Sequence, residues 1–451
     1  MLLRFSVSNY KSFDEEVSLS MFAGASKAFP EHTLKLSLCS VDKHILKSSL
    51  LYGANASGKS NFIHAMAFAQ ELIVHSTRPK QPILVPVFKL DSRNKNKPSQ
   101  FEFEFSVDGL CYAYGFAILG QEISEEWLYR LDFSGKYHET PLFERSLEKG
   151  ISCNVAYLTE QGVDIAFYNF IALSTRPNEL FLRKTIDNNA SLFEHIYDWF
   201  ENALIVIHPE SNWMPLLHLI SAEASIQQQL GSYLRSFDTG IQDIFLKKEP
   251  DAEAIKLPNE VMIDIREKML EQTSVEHTDN KLASQNKFTL FAEAHDWRHS
   301  YLMKAEDKEL AVYKLNTRRR NHQQEIVDFD LAEESDGTLR LLDFFPLLQE
   351  ANSRVYIIDE IERSLHPLLV KDLLQRFLNR GLGLQQLIAS THLTELLDLD
   401  CLRRDSFWFV EKDAQHASKL YSLEEYKIRK DLDIHKGYLR GRFGAIPLLG
   451  Q

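Results

Sequence analysis

Eight consecutive residues near the start of the chain have the types and spacing that bind phosphate. Gly53-Ala54-Asn55-Ala56-Ser57-Gly58-Lys59-Ser60 matches the pattern GxxxxGK[ST]. Glycines allow a tight turn whose backbone N–H groups face phosphate oxygens, the lysine reaches the β- and γ-phosphates, and the serine hydroxyl binds Mg²⁺. The sequence therefore predicts a nucleotide-binding site made of Gly53, Asn55, Ala56, Ser57, Gly58, Lys59, Ser60 and Phe62.

Two apolar runs in the last third of the chain lead into further polar residues. Val355–Ile358 is followed by Asp359 and Glu360, and His392 stands two residues beyond Gln385–Ser390. If each run is a buried strand, its C-terminal end delivers these side chains to one edge of a sheet. We expect Asp359 to join Ser60 in binding the metal, Glu360 to act as a general base on water, and His392 to hydrogen-bond a γ-phosphate. Taken alone, each run could equally be an ordinary strand, and His392 a structural histidine.

The periodicity of the chain predicts elements that could position these residues. Residues 50–76 have the pattern of a strand, a glycine-containing loop and a helix, which is the context that a phosphate loop requires. Residues 2–9 have the pattern of a strand, and residues 101–118 alternate around Asp108-Gly109, which predicts a β-hairpin. Beyond Glu333, strand and helix patterns alternate. The predicted fold class is α/β.

Three parts are expected along the chain. Residues 1–175 hold the phosphate loop and an antiparallel β subdomain, with weaker strands continuing to about residue 170. Residues 176–285 are expected to form a mainly helical insertion, and residues 286–451 the second half of the phosphate-binding domain. The helical patterns of the insertion are Leu192–Leu204, Leu216–Phe237 and Asn259–Glu271.

The composition and the net charge indicate the class of protein and the partners that it disfavours. The 451 residues are 44% hydrophobic and 25% charged, which is typical of a globular protein. The net charge of −13 disfavours non-specific binding of nucleic acid or anionic membrane by the whole chain. Residues 401–451 nevertheless carry a net charge of +3, which indicates either a solvated basic face or a contact surface for an acidic partner or nucleic acid. Arg318-Arg319-Arg320 is the sharpest basic run before this segment, and it indicates either an exposed turn or part of a basic channel for DNA.

The spacing of the cysteines and the lengths of the apolar segments indicate the cellular compartment. The four cysteines are far apart and include no CxxC pair, so the sequence predicts neither a zinc site nor a disulfide framework. No window of 18 consecutive apolar residues occurs, and the first residues contain no apolar signal region. We therefore expect a cytoplasmic protein without a membrane span.

The order and spacing of these motifs resemble the ABC-class ATPases of the SMC, RecF and overcoming-lysogenization group. Two departures stand beside this resemblance. The signature motif reads Glu334-Ser335-Asp336-Gly337-Thr338 in place of Leu-Ser-Gly-Gly, and no Q-loop glutamine is identifiable, Gln81 being the nearest candidate. The resemblance implies an ABC-type P-loop ATPase head with an antiparallel β subdomain and a mainly helical insertion. The matching segments are Gly53–Ser60 (Walker A), Ser335–Thr338 (signature), Asp359-Glu360 (Walker B), Ser364–His366 (D-loop) and His392 (H-loop).

In that class two heads face each other and trap ATP and Mg²⁺ between them. The resemblance therefore implies an enzyme that hydrolyses ATP as a homodimer or a higher even-numbered homo-oligomer. Ser335 and Gly337 of one copy would contact the γ-phosphate bound at Lys59 of the other.

Further segments resemble a bacterial subfamily of stand-alone ATPases from anti-phage and abortive-infection systems, of the RloA/AbiL or PARIS type. This implies a sensor or scaffold subunit that controls a separately encoded effector, a TOPRIM-like or HNH-like nuclease. These segments are Phe88–Asp91, Glu126–Tyr129, Trp408–Asp413 and Tyr438–Pro447.

The sequence leaves one alternative function open and argues against two others. A RecF-like repair ATPase would clamp DNA on ATP-driven dimerisation, so direct nucleic-acid binding stays open. A nuclease with its own TOPRIM domain is not expected, because only 59 residues follow His392. Transport is not expected, because no membrane segment is predicted.

Overall fold

The computed structural model describes most of the chain, and its contacts divide the chain into two compact units. The first unit comprises Met1–Pro209, Glu350–Glu362 and His366–Gln451, and the second comprises Glu210–Gln349 and Arg363–Leu365. The described residues are 1–38, 41–75, 77–134, 137–209, 220, 224–249, 289–292, 301–306, 309–349, 353–380, 383–427 and 433–447.

Strands and helices have the following bounds. The strands are β1 (Leu2–Ser8), β2 (Val17–Ser20), β3 (Thr33–Leu38), β4 (Val41–Leu46), β5 (Ser48–Tyr52), β6 (Ser99–Val107), β7 (Leu110–Leu119), β8 (Glu122–Asp132), β9 (His138–Ser146), β10 (Gly150–Cys153), β11 (Leu204–Ile207), β12 (Asp243–Lys248), β13 (Thr289–Ala292), β14 (Tyr301–Glu306), β15 (Glu309–Arg320), β16 (Ile326–Asp330), β17 (Arg354–Ile358), β18 (Gln385–Ser390), β19 (Phe407–Lys412) and β20 (Ser418–Ser422). The helices are α1 (Lys59–Val74), α2 (Val155–Glu160), α3 (Ile165–Ser174), α4 (Phe181–Asp187), α5 (Glu194–Asp198), α6 (Ala224–Arg235), α7 (Asp336–Phe344), α8 (Pro367–Asn379) and α9 (Ile434–Leu439).

A largely parallel sheet in the first unit carries the predicted phosphate loop. Its order among the described strands is β11-β17-β18-β5-β19-β20. All neighbours pair in parallel except β19 and β20. The residues of β5 and β18 are buried throughout, as expected for strands covered on both faces. The predicted α/β class and the strand, loop and helix over residues 50–76 are confirmed.

An antiparallel sheet of the first unit has the order β10-β9-β8-β7-β6-β1-β2. The predicted hairpin over residues 101–118 is confirmed, with Val107 opposite Leu110. Asp108 and Gly109 both have a positive φ, 51° and 78°, as a two-residue primed turn requires.

The strands expected to reach about residue 170 end earlier, at Cys153. Helices α2 and α3 follow, and each begins at a capping side chain. The Asn154 side chain accepts from Tyr157 N, and Asp164 accepts from Ala166 N. Such caps satisfy backbone donors that have no partner inside the helix, which favours a helix over a further strand.

The predicted insertion is divided between the two units. Residues 176–209 belong to the first unit, while residues 250–285, which include the pattern Asn259–Glu271, lie outside the described residues. The described part of the second unit contains a sheet with the order β12-β15-β14-β13, and β16 also pairs with β15. In the described part of the chain, no helix is long and apolar enough to cross a bilayer.

A buried glutamine links the two large sheets of the first unit. The Gln386 side chain on β18 accepts from Leu2 N at 2.7 Å and donates to Leu2 O at 3.0 Å and to Leu46 O at 3.1 Å. The side chain is fully buried. These bonds tie β1 and β4 to the strand that leads to His392.

Replacing this glutamine with an apolar residue is expected to destabilise the fold. Gln386→Leu leaves buried backbone groups of Leu2 and Leu46 without these partners, at about 1–3 kcal/mol for each group. Chemical denaturation should show the loss of unfolding free energy, whereas Gln415→Leu, at an exposed loop position, should change it by less than about 0.5 kcal/mol. Equal stability of the two variants would contradict this role.

Candidate functional site

The loop between β5 and α1 requires glycine at two positions, Gly53 and Gly58. A Cβ at Gly53 would overlap Val410 O and the Ser57 side chain, and a Cβ at Gly58 would overlap Ser418 Oγ. Gly58 has φ +120°, and Ala56 is left-handed with φ 61°. The loop therefore stays compact enough for its N–H groups to converge on one ligand.

Two serines distant in sequence support this loop. Ser418 Oγ donates to Ser57 O, and Ser418 N donates to Ser12 O at 2.7 Å. Asn61 Nδ2 donates to Ser12 Oγ at 2.8 Å. Neither Ser12 nor Ser418 was identified from the sequence, because neither belongs to a motif.

Lys59 begins α1 and turns back over the loop. Its Nζ donates to Gly53 O at 2.7 Å and to Ala54 O at 3.3 Å. Burial lowers the pKa of Lys59 to about 8, and nearby carboxylates oppose this shift, Glu362 having the largest effect. The ammonium group is therefore held at the place where a phosphate-loop lysine is needed.

Asp359 follows β17 and links it to the end of β18 and to the start of α1. Ser60 Oγ donates to its Oδ1 at 3.1 Å, and Ser390 Oγ donates to the same oxygen at 2.5 Å. The carboxylate is almost fully buried. The structure thus brings the two predicted metal ligands, Ser60 and Asp359, into direct contact. Hydroxyl and carboxylate oxygens are the hard donors that Mg²⁺ prefers.

The predicted general base follows in a tight turn. Glu360 is left-handed with φ 50°, which is uncommon for a residue other than glycine. Its N donates to Ser390 Oγ at 2.8 Å, and Ile361 N donates to Ser390 O at 3.1 Å. These two bonds hold the unusual conformation, which sets the direction of the Glu360 carboxylate.

His392 lies just beyond β18, and its loop is held by a carboxylate that sequence reasoning missed. His392 N donates to Glu362 Oε1 at 2.5 Å. Burial lowers the pKa of His392, and the charge of Lys59 lowers it further. The imidazole is therefore neutral at pH 7, and one ring nitrogen can donate a hydrogen bond.

The side chains of Phe62 and of Gln81, the nearest candidate for a Q-loop glutamine, have other contacts. The Phe62 side chain is fully buried and packs against Phe5, with ring centroids 5.4 Å apart, so it belongs to the core. Gln81 is exposed, and its side chain accepts from Arg78 N at 3.1 Å.

The predicted signature lies in the second unit at the start of α7. Ser335 caps this nine-residue helix, and its Oγ accepts from Thr338 N at 3.2 Å. A Cβ at Gly337 would lie 2.7 Å from Ser364 O, so only glycine fits without displacement. Ser364 is itself left-handed, with φ 62°. A capped helix start of this kind favours an anion.

Glu334 explains why the signature departs from the usual sequence. This buried carboxylate accepts from Thr317 Oγ1 at 2.5 Å and from Arg319 Nη1 and Nη2 at 2.5 and 2.7 Å. The bidentate pair anchors the residue before Ser335 to β15. The interaction with Glu334 also raises the pKa of Arg319.

The same contacts change the interpretation of the basic run at Arg318–Arg320. Arg318 pairs with Asp328 at 3.1 Å and lies 3.6 Å from the Phe245 ring centroid. Arg319 pairs with Glu334. Two of the three guanidinium groups are therefore neutralised within the second unit.

The C-terminal run packs beneath the phosphate loop. Gly441 and Gly444 have φ 73° and 65°, the left-handed backbone that glycine adopts without strain. Tyr438 stacks on Phe409 at 5.6 Å and meets Tyr52, the residue before Gly53, at 6.0 Å. The run therefore supports the strand that leads into the loop.

Comparisons with known proteins identify a family for most of the chain. A family model described as "AAA domain, putative AbiEii toxin, Type IV TA system" matches residues 48–398. Among curated proteins, none matches the chain significantly. The SMC head domain from Thermotoga maritima is similar over 95% of this chain and 99% of that one, with 11% identity and a TM-score of 0.36. This last likeness is too distant to carry an argument.

Glu334→Gln is expected to lower the unfolding free energy more than Asp328→Asn, which removes an exposed charge on β16. Glu334→Gln leaves Arg319 without its bidentate partner and should lower the unfolding free energy by about 1–3 kcal/mol. Asp328→Asn breaks the exposed pair with Arg318 and should cost at most about 1 kcal/mol. Thermal or chemical denaturation measures both; an equal effect would show that the Glu334 pair is not the anchor.

Proposed function

The chain belongs to the AAA domain family whose model spans residues 48–398, and from this premise we propose that it is a regulatory enzyme that binds and hydrolyses ATP. One observation carries the proposal. Ser60 and Asp359, 299 residues apart, are hydrogen-bonded at 3.1 Å beside a lysine-containing glycine loop. A partly buried hydroxyl, a buried carboxylate and a buried ammonium at one sheet edge are the groups that a metal-bound triphosphate requires.

The donors that the chain offers fit ATP and Mg²⁺. Ser57 Oγ is buried without a hydrogen-bond partner among the described residues, and it lies inside the glycine loop. Lys59 Nζ can exchange its two carbonyl partners for phosphate oxygens. Ser60 and Asp359 would hold Mg²⁺, which, when bound, supplies positive charge that neutralises the phosphates. Among the described residues no cluster of three or more His, Cys, Asp or Glu side chains suits a metal.

Hydrolysis would use the two residues that flank this site. Glu360, directed by its left-handed backbone, accepts the proton of the attacking water. His392, neutral at pH 7, donates a hydrogen bond to the γ-phosphate. Each role needs only the side chain's position and protonation state.

A second copy of the chain is the proposed partner. Ser335 and Gly337, at the start of α7, would meet the γ-phosphate held at Lys59 of the other copy. The helix start capped by Ser335 supports an anion contact from this unit. ATP would then join two copies, and hydrolysis would separate them.

The proposed biological role is the sensor or scaffold subunit of a bacterial anti-phage system. The description of the family, which refers to the AbiEii toxin and a type IV toxin–antitoxin system, supports a role in growth control or defence. A separately encoded toxic effector, a TOPRIM-like or HNH-like nuclease, would be the controlled partner. The pairing of Arg318 and Arg319 with acidic residues makes the alternative, a DNA clamp, less favoured.

Loss of the loop lysine is expected to abolish most nucleotide binding. Lys59→Ala removes the charge that meets the phosphates and should weaken ATP binding roughly 10- to 100-fold, the value of one or two charge-assisted hydrogen bonds. Isothermal titration calorimetry measures this, with Lys43→Ala, an exposed position, as the control. Unchanged affinity in Lys59→Ala would refute the nucleotide site.

Loss of the base is expected to separate binding from turnover. Glu360→Gln should bind ATP normally but hydrolyse it roughly 10²- to 10⁴-fold more slowly, because the water is no longer activated. The trapped ATP state should elute as a larger assembly on size-exclusion chromatography. Glu148→Gln, in an exposed turn, is the control. Wild-type hydrolysis by Glu360→Gln would show that another residue is the base.

A further inference from the structure

A turn between α1 and β6 concentrates positive charge on a chain that is acidic as a whole. The net charge of the chain is −13, yet this turn, residues 89–97, has one acidic residue, Asp91. Its basic residues are all exposed: Lys89, Arg93, Lys95 and Lys97. Asp91 pairs with Arg93 at 2.6 Å, and within the described part of the chain the three lysines form no ion pair. We call residues 89–97 the basic turn.

One buried side chain holds the basic turn in place. Asn9, which is 3% exposed, donates from Nδ2 to Asn94 O at 2.9 Å and to Lys97 O at 3.0 Å. Its Oδ1 accepts from Phe88 N at 3.2 Å. From inside the turn, the buried Asn94 side chain donates to Asp14 Oδ1 at 2.6 Å. The lysines therefore extend from a fixed backbone, which reduces the conformational entropy lost when a partner binds.

The connection that contains the basic turn is long and irregular. Among its described residues, which run from the end of α1 at Val74 to the start of β6 at Ser99, the only regular structure is a 3₁₀ turn at Ser92–Asn96. Connections of more than about 12–15 residues without their own secondary structure are uncommon and usually functional or disordered. This connection is anchored at both ends of its extended part, because Ile83 N donates to Gln121 O and Asn9 holds Phe88 N. The function is then the better explanation of its length.

Exposed leucines lie beside the lysines. Leu90, directly after Lys89, is 67% exposed, and Leu84 is 74% exposed. The one aromatic residue of 84–97, Phe88, is buried, so this stretch has no exposed ring on which a nucleic-acid base could stack. Leucine side chains gain free energy from contact with apolar groups and not with phosphates. The charge and the leucines together fit an acidic protein segment that carries apolar side chains.

The same connection contacts the residues that support the phosphate loop. Lys11 N donates to Pro86 O at 2.6 Å. The next residue, Ser12, accepts from Asn61 Nδ2 at 2.8 Å and from Ser418 N at 2.7 Å. A partner bound at the basic turn would therefore rest on the corner of the chain that supports the nucleotide site.

We propose that residues 84–97 bind an acidic segment of the effector protein, and that this segment carries apolar side chains that cover Leu84 and Leu90. The inference rests on the proposed function, in which a separately encoded effector binds this chain, and it adds the chemistry by which the effector is recognised. Lys89, Lys95 and Lys97 supply the charge that meets the acidic side chains.

Two acidic peptides of equal length and charge test the contribution of the lysines. One repeats Glu-Glu-Leu and the other repeats Glu-Glu-Ser, and fluorescence anisotropy measures the binding of each to the full chain. Lys89→Glu/Lys95→Glu/Lys97→Glu should weaken binding of the leucine peptide roughly 10- to 100-fold, because three attractive contacts become repulsive.

A matched control makes the same change in net charge at exposed lysines that lie far apart in the sequence. The control variant is Lys27→Glu/Lys43→Glu/Lys149→Glu. It should weaken binding of the leucine peptide less than about threefold, because salt screens distant charges. An equal loss in the two triple variants would show that only the net charge matters, and would overturn the proposal.

A single substitution tests the contribution of the exposed leucines. Leu90→Ser should weaken binding of the leucine peptide about three- to tenfold and leave binding of the serine peptide unchanged, because apolar contact is lost while the charges stay. Leu147→Ser, at a position that is 64% exposed in another turn, is the control and should change neither. An equal effect of Leu90→Ser on the two peptides would overturn the apolar part of the site.

Measurements on the wild type do not depend on the folding of any variant. The wild type should bind the leucine peptide more tightly than the serine peptide and more tightly than a DNA duplex at the same salt concentration. Tighter binding of the duplex would make the basic turn a nucleic-acid surface and would overturn the proposal, as would failure to bind either peptide.

These measurements contain no nucleotide, so they are independent of ATP hydrolysis. A wild type that binds ATP but neither peptide overturns this inference and leaves the ATPase function intact. A wild type that binds the leucine peptide but not ATP refutes the ATPase function and leaves the basic turn as a docking surface.

Discussion

The buried carboxylate of Asp359 is the interaction on which the site depends. It accepts hydrogen bonds from Ser60, 299 residues away, and from Ser390, 31 residues away. These residues meet because β5, β17 and β18 pair in parallel, so their C-terminal ends share one edge of the sheet. A buried anion without such donors would be strongly unfavourable, so folding of the sheet and assembly of the site are one event.

Local patterns in the sequence were sufficient to predict the loop and the strands around it. The strand and helix on either side of Gly53–Ser60, and the hairpin at Asp108-Gly109, depend on residues that are neighbours in the sequence. Their backbone preferences can therefore be predicted from residue types alone. The Phe62 side chain turns into the core, which was not predicted from the sequence although it follows from the helical period of α1.

The residues that sequence reasoning missed act through contacts between distant segments. Ser12 and Ser418 support the loop from opposite ends of the chain, and Glu362 reaches the His392 backbone across two strand ends. None of them belongs to a periodic pattern, so only the folded arrangement reveals them. Glu334 stood out in the sequence as a departure, but its explanation required the position of Arg319 on β15.

The two units carry complementary chemistry. The first unit holds the phosphate loop, Asp359, Glu360 and His392, while the second holds Ser335 and Gly337 at a helix start that suits an anion. In the proposed assembly each copy supplies its second unit to the nucleotide of the other. This arrangement makes hydrolysis depend on association, which is the property that a sensor or scaffold requires.

Mixing two inactive variants tests this central claim directly. Lys59→Ala lacks the phosphate loop lysine but keeps the signature, and Ser335→Arg lacks the signature but keeps the loop. If the sites are shared, random pairing of equal amounts should restore about a quarter of wild-type ATPase activity, because half of the dimers contain one intact site. A mixture no more active than the two variants assayed separately would contradict the shared site.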